Sequence, residues 1–167
     1  CNLKCPWCSN PEGINPNNSV GYSTEVSEVL KEILRSAPMF FEGGGVTFTG
    51  GECTLQLPAL IELFELLKKE GINTAIETNG TNKDLEKLFP FLDYLIMVLK
   101  HSDEKTLKEV TGADLAVIKS NLLKAKEQNK RLFLRIPLIN TFNADEKTVN
   151  AFLEYFNHSR KKVQLFV

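Results

Sequence analysis

The chain opens on Cys1-Asn-Leu-Lys-Cys5-Pro-Trp-Cys8, with three cysteines crowded into one short stretch. Thiolates at this spacing can ligate three corners of a cubane iron–sulfur cluster and leave the fourth iron open to a small molecule. A fourth cysteine would close that position. A structural zinc site instead wants four protein ligands, usually in two Cys-x-x-Cys-like pairs. Zinc completed by a distant fourth ligand therefore stays open as an alternative on the residues alone. Cys53 lies far along the chain without such neighbours, and three crowded cysteines plus one do not pair sensibly into disulfides.

Other polar or glycine residues stand out from apolar surroundings. Gly50-Gly51-Glu52 follows a short β-prone run; backbone amides without side chains can approach a ligand closely, and Glu52 can accept from an ammonium group. The same glycines could serve only as a turn. Glu77-Thr78 ends another apolar run, as a cation- or hydroxyl-binding pair or simply as a strand end. Lys100 is a partner for a ligand carboxylate or a solvated strand-end lysine. Arg135, inside an apolar run, needs an anion or carbonyl partner if it points inward and none if it points outward. Trp7 could shield the metal site, pack on a bound nucleoside or simply fill space. His101 and His158 are assigned to the surface or to local pairing. The phenylalanines at 40, 41, 64, 89, 91, 152 and 156 are assigned to the core by their spacing.

These residues need elements to hold them. Val26, Val29, Leu30, Ile33, Leu34 and Ala37 have the spacing of one helix face, with Ser23 or Thr24 as cap and Pro38 as stop. Val46 to Thr49 reads as a buried strand between glycines. Leu57 to Leu67 gives a second helix closed by Gly71. Asn73 to Thr78 reads as a strand, the segment with Leu85, Leu88 and Phe89 as a short helix, and Asp93 to Leu99 as a strand buried on both faces. Asp103 to Gly112 and the stripe Leu115, Ile118, Leu122, Ala125 give two helices. Arg131 to Ile139 is the next strand, then come a helix with Val149, Phe152, Leu153 and Phe156 and a final strand from Lys162 to Val167. Asn15 to Gly21 reads as loop. Strands alternating with helices predict an α/β fold with right-handed crossovers and a parallel sheet. Gly50-Gly51-Glu52, Thr78, Lys100 and Arg135 then gather at the carboxyl ends of the strands, where such folds place ligands.

With 167 residues, 43% hydrophobic and 25% charged, the composition fits one domain, 1–167, able to bury a core. Lys+Arg (20) and Asp+Glu (21) nearly cancel, so no strong field favours nucleic acid or an anionic membrane. No apolar run approaches the roughly 20 residues that span a bilayer. The expectation is a cytoplasmic, monomeric protein. Because a functional loop sits at the first residue and Cys1 is not Met, the chain reads as a fragment of something longer.

Cys1-x3-Cys5-x2-Cys8 with Ser9-Asn10-Pro11, Gly43-Gly-Gly-Val-Thr-Phe-Thr-Gly-Gly-Glu52 and Glu77-Thr-Asn-Gly80 together resemble the radical S-adenosylmethionine superfamily, and within it the activating enzymes of glycyl radical enzymes. The resemblance implies a partial (β/α)6 TIM-like barrel whose first strand would precede Cys1. It implies a [4Fe-4S] cluster on Cys1, Cys5 and Cys8, with the methionine amino and carboxylate groups of S-adenosylmethionine on the open iron. By matching position, Trp7 and Ser9 lie against that cofactor, Gly50, Gly51 and Glu52 receive its amino group, and Lys100 meets its carboxylate; Thr78 and Arg135 complete the expected site. The implied activity is reductive cleavage of S-adenosylmethionine to make a glycyl radical on a partner enzyme, with flavodoxin or ferredoxin as electron donor. Two features depart from the pattern. Val98-Leu-Lys100 stands where such enzymes often have Asp-x-Lys, which puts a monovalent cation site in doubt, and no cysteines follow Cys8 before Cys53 to serve an extra-cluster insertion.

Overall fold

The computed structural model describes residues 1–14, 21–128, 130–157 and 162–166, with side chains described as far as residue 152 within those stretches. Most of the expected loop at 15–21, His158 and Val167 lie outside the described residues, as do the side chains of Leu153 and Phe156.

Five strands, β1 (Gly45–Phe48), β2 (Asn73–Thr78), β3 (Tyr94–Val98), β4 (Arg131–Pro137) and β5 (Lys162–Phe166), form one sheet in sequence order. Every neighbouring pair is parallel. An unreversed order is the winding of a barrel, with no switch point of the doubly wound kind. The chain is thus an α/β partial barrel. Helix α1 (Val26–Ser36) precedes β1; α2 (Leu57–Lys69), the 3-10 segment Leu85–Phe91, α3 (Glu104–Thr111) with α4 (Leu115–Glu127), and α5 (Glu146–Asn157) supply the four crossovers.

Local chemistry sets most boundaries. Gly71, at φ +70°, ends α2 in a left-handed cap; Ile72 N–H reaches Leu67 O at 3.0 Å and Gly71 N–H reaches Lys68 O at 3.2 Å. Asp103 caps α3 by accepting from Thr106 N–H, Gly112 closes it in the left-handed region, and Asp114 caps α4 by accepting from Ala116 and Val117 N–H.

Several local expectations change. β1, expected to be buried, has no buried residue because it lies at the sheet edge, and β3, expected to be buried on both faces, buries only Leu95 and Met97 because its other side chains line the open concave face. α1 starts at Val26 with Glu25 at its N-cap and no side-chain cap, so neither Ser23 nor Thr24 caps it. The segment Leu85–Phe91 is a 3-10 helix containing Pro90, whose missing N–H removes an α-helical bond. Phe41 is 88% exposed at φ +47°: it sits in the turn before edge strand β1, where no helix covers it, although its spacing suggested core.

One face of the sheet takes the helices. Phe48 packs on Phe64 of α2 with ring centroids 5.1 Å apart, and register continues that face through Ile76, Leu95 and Leu132. Ile76, Leu95, Met97 and Ile136 are fully buried there, each contributing about 1.5–3 kcal/mol by leaving water. The opposite, concave face carries Thr47, Glu77, Tyr94, Ile96, Val98, Arg131, Phe133 and Arg135, none of them buried.

Candidate functional site

The cysteine loop is tied to the carboxyl end of the sheet from three sides. Lys4 N–H donates to Thr111 O at 2.9 Å at the end of α3. Asn79 Nδ2 donates to Asn2 Oδ1 at 2.9 Å, and Asn2 Nδ2 donates to Thr81 Oγ1 at 2.8 Å. Leu3 and Cys5 enter the core between these ties. Cys8 N–H donates to Cys5 O at 3.1 Å, which folds Cys5 and Cys8 into one turn.

Gly51 presses on this loop. A Cβ there would lie 3.1 Å from Cys1 N and 3.2 Å from Cys1 Cβ, so glycine permits the contact and a side chain would push the first cysteine away. Gly50, at φ +116°, is exposed beside it. Glu52 is buried at 7% exposure, yet satisfied: Oε1 accepts from Thr54 N–H (3.1 Å), Thr54 Oγ1 (2.5 Å) and Thr78 Oγ1 (2.6 Å), and Oε2 accepts from Asn79 N–H (2.7 Å). This carboxylate therefore locks the turn after β1 to the turn after β2. Thr78, 1% exposed, gives its hydroxyl proton to Glu52 and accepts from Gly80 N–H at 3.1 Å.

The β2 turn has its own support. Asn121 on α4 donates to Gly80 O (2.9 Å) and Asn82 O (2.8 Å), and a Cβ on Gly80 would strike Met97 Cε at 2.4 Å. Lys100, just past β3, is the cation of the site. Burial pushes its ammonium below the usual lysine range, and Cys5, Glu52, Cys8 and Glu77, in that order, oppose the shift. Burial likewise raises the Cys5 thiol, with Lys100 opposing.

Arg135 faces inward and has its anion: Nη1 donates to Glu77 Oε2 at 2.6 Å. Trp7 is half-buried against Phe142, ring centroids 4.5 Å apart, and Phe142 meets the His101 ring edge-on at 5.0 Å. His101 is buried and locally paired, accepting from Asp103 N–H at Nδ1. Asn143, fully buried, joins the β3 and β4 turns by donating to Lys100 O and Pro137 O, both at 2.7 Å. Ser9 lies exposed beside Cys8. Gly50, Gly51, Glu52, Thr78, Lys100 and Arg135 therefore reach one end of the sheet beside Cys1, Cys5, Trp7, Cys8 and Ser9.

Sequence reasoning missed Asn2, Asn121, Phe142 and Asn143; each has a partner far along the chain, and no local pattern marks it.

The donor set fits an open iron–sulfur cluster. All four cysteines are free thiols. Cys53 is buried, donates to Glu77 O at 3.6 Å and is pushed up to about 12, mainly by burial and then by Glu52, so it is a poor thiolate ligand. Among the described residues no three His, Cys, Asp or Glu side chains converge closely enough to share one metal ion. A tetrahedral zinc with bonds of about 2.3 Å needs such convergence, whereas thiolates on a cubane each take a separate iron. Among the described residues no helix is long and apolar enough to cross a membrane.

Comparison with known proteins agrees with the site. Residues 1–153 match the model of the Radical SAM superfamily. The chain is 31% identical over 169 residues to the pyruvate formate-lyase-activating enzyme of Clostridium pasteurianum, covering 99% of this chain and 70% of that protein. It is 36% identical over 140 residues to the choline trimethylamine-lyase activating enzyme of Oleidesulfovibrio alaskensis, covering 81% of this chain and 45% of that protein. The crystal structure of a domain of the pyruvate-formate lyase-activating enzyme from Bacteroides vulgatus superposes with a TM-score of 0.64 at 27% identity, covering 74% of this chain and 78% of that one. The chain spans from less than half to about two thirds of the length of these curated relatives. On the match across residues 1–153 and the likeness to these activases, the chain belongs to the Radical SAM superfamily, among the activating enzymes of glycyl radical enzymes.

Proposed function

We propose that residues 1–167 are a single domain that binds S-adenosylmethionine at a [4Fe-4S] cluster and uses it to generate a glycyl radical on a partner enzyme. The observation that carries this reading is the seating of the cysteine loop on the carboxyl end of the sheet, where Gly51 packs against Cys1 and Asn2 is hydrogen-bonded to Asn79 and Thr81. Cys1, Cys5 and Cys8 would hold the cluster, which would supply the one-electron reduction that cleaves S-adenosylmethionine and so permits hydrogen-atom abstraction from a glycine of the partner.

The chain's own residues do the positioning. Lys100 receives the methionine carboxylate, an anion that would offset the desolvation now disfavouring its ammonium. Gly50 and Gly51 keep the β1 turn free of side chains, so that the amino group reaches backbone carbonyls beside Cys1. Glu52, its carboxylate occupied by four hydrogen bonds, and Thr78 hold that turn against the β2 turn. Trp7, backed by Phe142, forms an apolar wall that excludes water, with Ser9 at its rim. Arg135, fixed by Glu77, brings a second cation to the concave face. The protein's part would be to hold sulfonium and acceptor glycine in line, leaving the bond-breaking to the cofactors.

The fitting partners are a glycyl radical enzyme as protein substrate and a flavodoxin or ferredoxin as donor, with the protein acting as a cytoplasmic monomer. Anaerobic reconstitution tests the reading. We expect the electron paramagnetic resonance signal of a reduced [4Fe-4S] cluster that changes when S-adenosylmethionine is added, and an organic glycyl radical signal on a co-incubated glycyl radical enzyme. Zinc bound in an anaerobic preparation that takes up no cluster would overturn it. Cofactor cleavage with no radical on any such partner would remove the activase assignment and leave the cluster reading standing.

A further inference from the structure

Arg135 and Glu77 form an ion pair across the concave face, with Nη1 2.6 Å from Oε2. The pair passes over β3: Arg135 is the register partner of Val98, and Glu77 that of Ile96. At 29% and 25% side-chain exposure, both groups are partly desolvated and still reach the open face. Val98, beneath the pair, is two residues before Lys100 on the same side of the chain, so the pair borders the proposed cofactor position.

The resemblance implies a monovalent cation near the cofactor, held in part by a side-chain carboxylate at the position of Val98. Such a cation needs oxygens whose charge is not already matched. The residues present do not fit. Val98 carries no oxygen in its side chain, and Oε2 of Glu77 is already held by a guanidinium. A second cation entering here would meet like charge on both sides, from Arg135 and from Lys100.

We infer that the guanidinium of Arg135, anchored by Glu77 over Val98, replaces the monovalent cation in this chain, so that S-adenosylmethionine binds without sodium or potassium. The inference rests on the proposed cofactor reading. A permanent charge on a fixed planar fork suits the task, because arginine stays protonated and its position is set by a charge-assisted hydrogen bond.

The test is S-adenosylmethionine affinity of the anaerobically reconstituted protein, read from the cluster's paramagnetic signal and by calorimetry. Buffers containing tetramethylammonium, sodium or potassium are compared at equal ionic strength. Affinity is expected to agree within about twofold among the three, since general screening is the same at equal ionic strength. Arg135→Gln should lose about tenfold or more in tetramethylammonium, the scale of a lost charged hydrogen bond. Arg135→Gln combined with Val98→Asp should recover affinity only with potassium or sodium, and Arg135→Lys should stay independent of the ion. A wild-type gain of about tenfold on adding potassium or sodium would overturn the inference, as would wild-type affinity in Arg135→Gln. If Arg135→Gln does not fold, the wild-type comparison decides by itself. A protein that takes up no cluster, or whose cluster ignores S-adenosylmethionine in every buffer, would overturn the cofactor reading and this inference with it.

Discussion

Ile76, Leu95, Met97 and Ile136 on the helix-covered face are fully buried, whereas Glu77, Ile96, Val98 and Arg135, one residue away along the same strands, are partly open. Strand geometry turns successive side chains to opposite faces, so one short segment serves two requirements. The covered face is nearly all aliphatic and excludes water. The concave face carries the Glu77–Arg135 pair and, nearer the other end, Arg131 donating to the Tyr94 hydroxyl at 3.0 Å. Stability and chemistry are thus separated by a single step in register, and the two meet only at the turns, where Glu52, Asn79, Asn121 and Asn143 bind one strand end to the next.

Four substitutions would break or sharpen that separation. The largest effect belongs to Cys5→Ser, which should abolish cluster uptake and S-adenosylmethionine cleavage, read as iron content and product formation, while urea unfolding of the apoprotein stays cooperative. On the other face, Leu95→Ala leaves a cavity under α-helices and should cost about 2–5 kcal/mol in urea unfolding. A smaller cost would mean that the covered face collapses around the gap.

Lys100→Met should act in the opposite way to Leu95→Ala. Loss of the charged contact should weaken S-adenosylmethionine binding by roughly 10- to 100-fold, without destabilising the apoprotein at neutral pH. The sign follows from burial: a lysine with a lowered folded pKa carries a folding cost at neutral pH that fades as pH rises toward its ordinary 10.5. Marked destabilisation of the apo variant would show that Lys100 serves the fold first.

The smallest effect is a slope with pH. Cys53 is raised from 9.0 to about 12, mainly by burial, so its contribution to stability is complete below pH 9 and is lost as pH rises from there. Cys53→Ala should unfold with less alkaline loss than the parent, and it should bind the same amount of iron. Equal slopes in parent and variant would mean that the thiol is solvated above pH 9.

Much of this architecture was legible in order along the chain. Apolar runs and glycine punctuation placed the strands to within a residue or two, and Asp103, Gly71 and Gly112 end helices where their side chains or positive φ values require. The three cysteines named their own chemistry, because a ligand set on one short loop is a local property. Gly50-Gly51-Glu52 and Lys100 were legible as candidates, since charged or glycine residues at the ends of apolar strands have few structural uses. Phe41 and the Leu85–Phe91 segment were misread because spacing says nothing about which neighbour covers a side chain, or about how Pro90 tightens a turn.

Tertiary structure alone decided how those candidates are employed. The four hydrogen bonds that occupy Glu52 come from residues 54, 78 and 79. The partner of Arg135 lies 58 residues away on β2, and Asn121 reaches back about forty residues to the Asn79-Gly80 turn. Periodicity encodes which face a residue takes within its own strand, and it holds no information about what stands opposite on another. Parallel pairing of five strands brings the cysteine loop, Lys100 and the Glu77–Arg135 pair to one end, because every crossover returns the chain to the same side of the sheet.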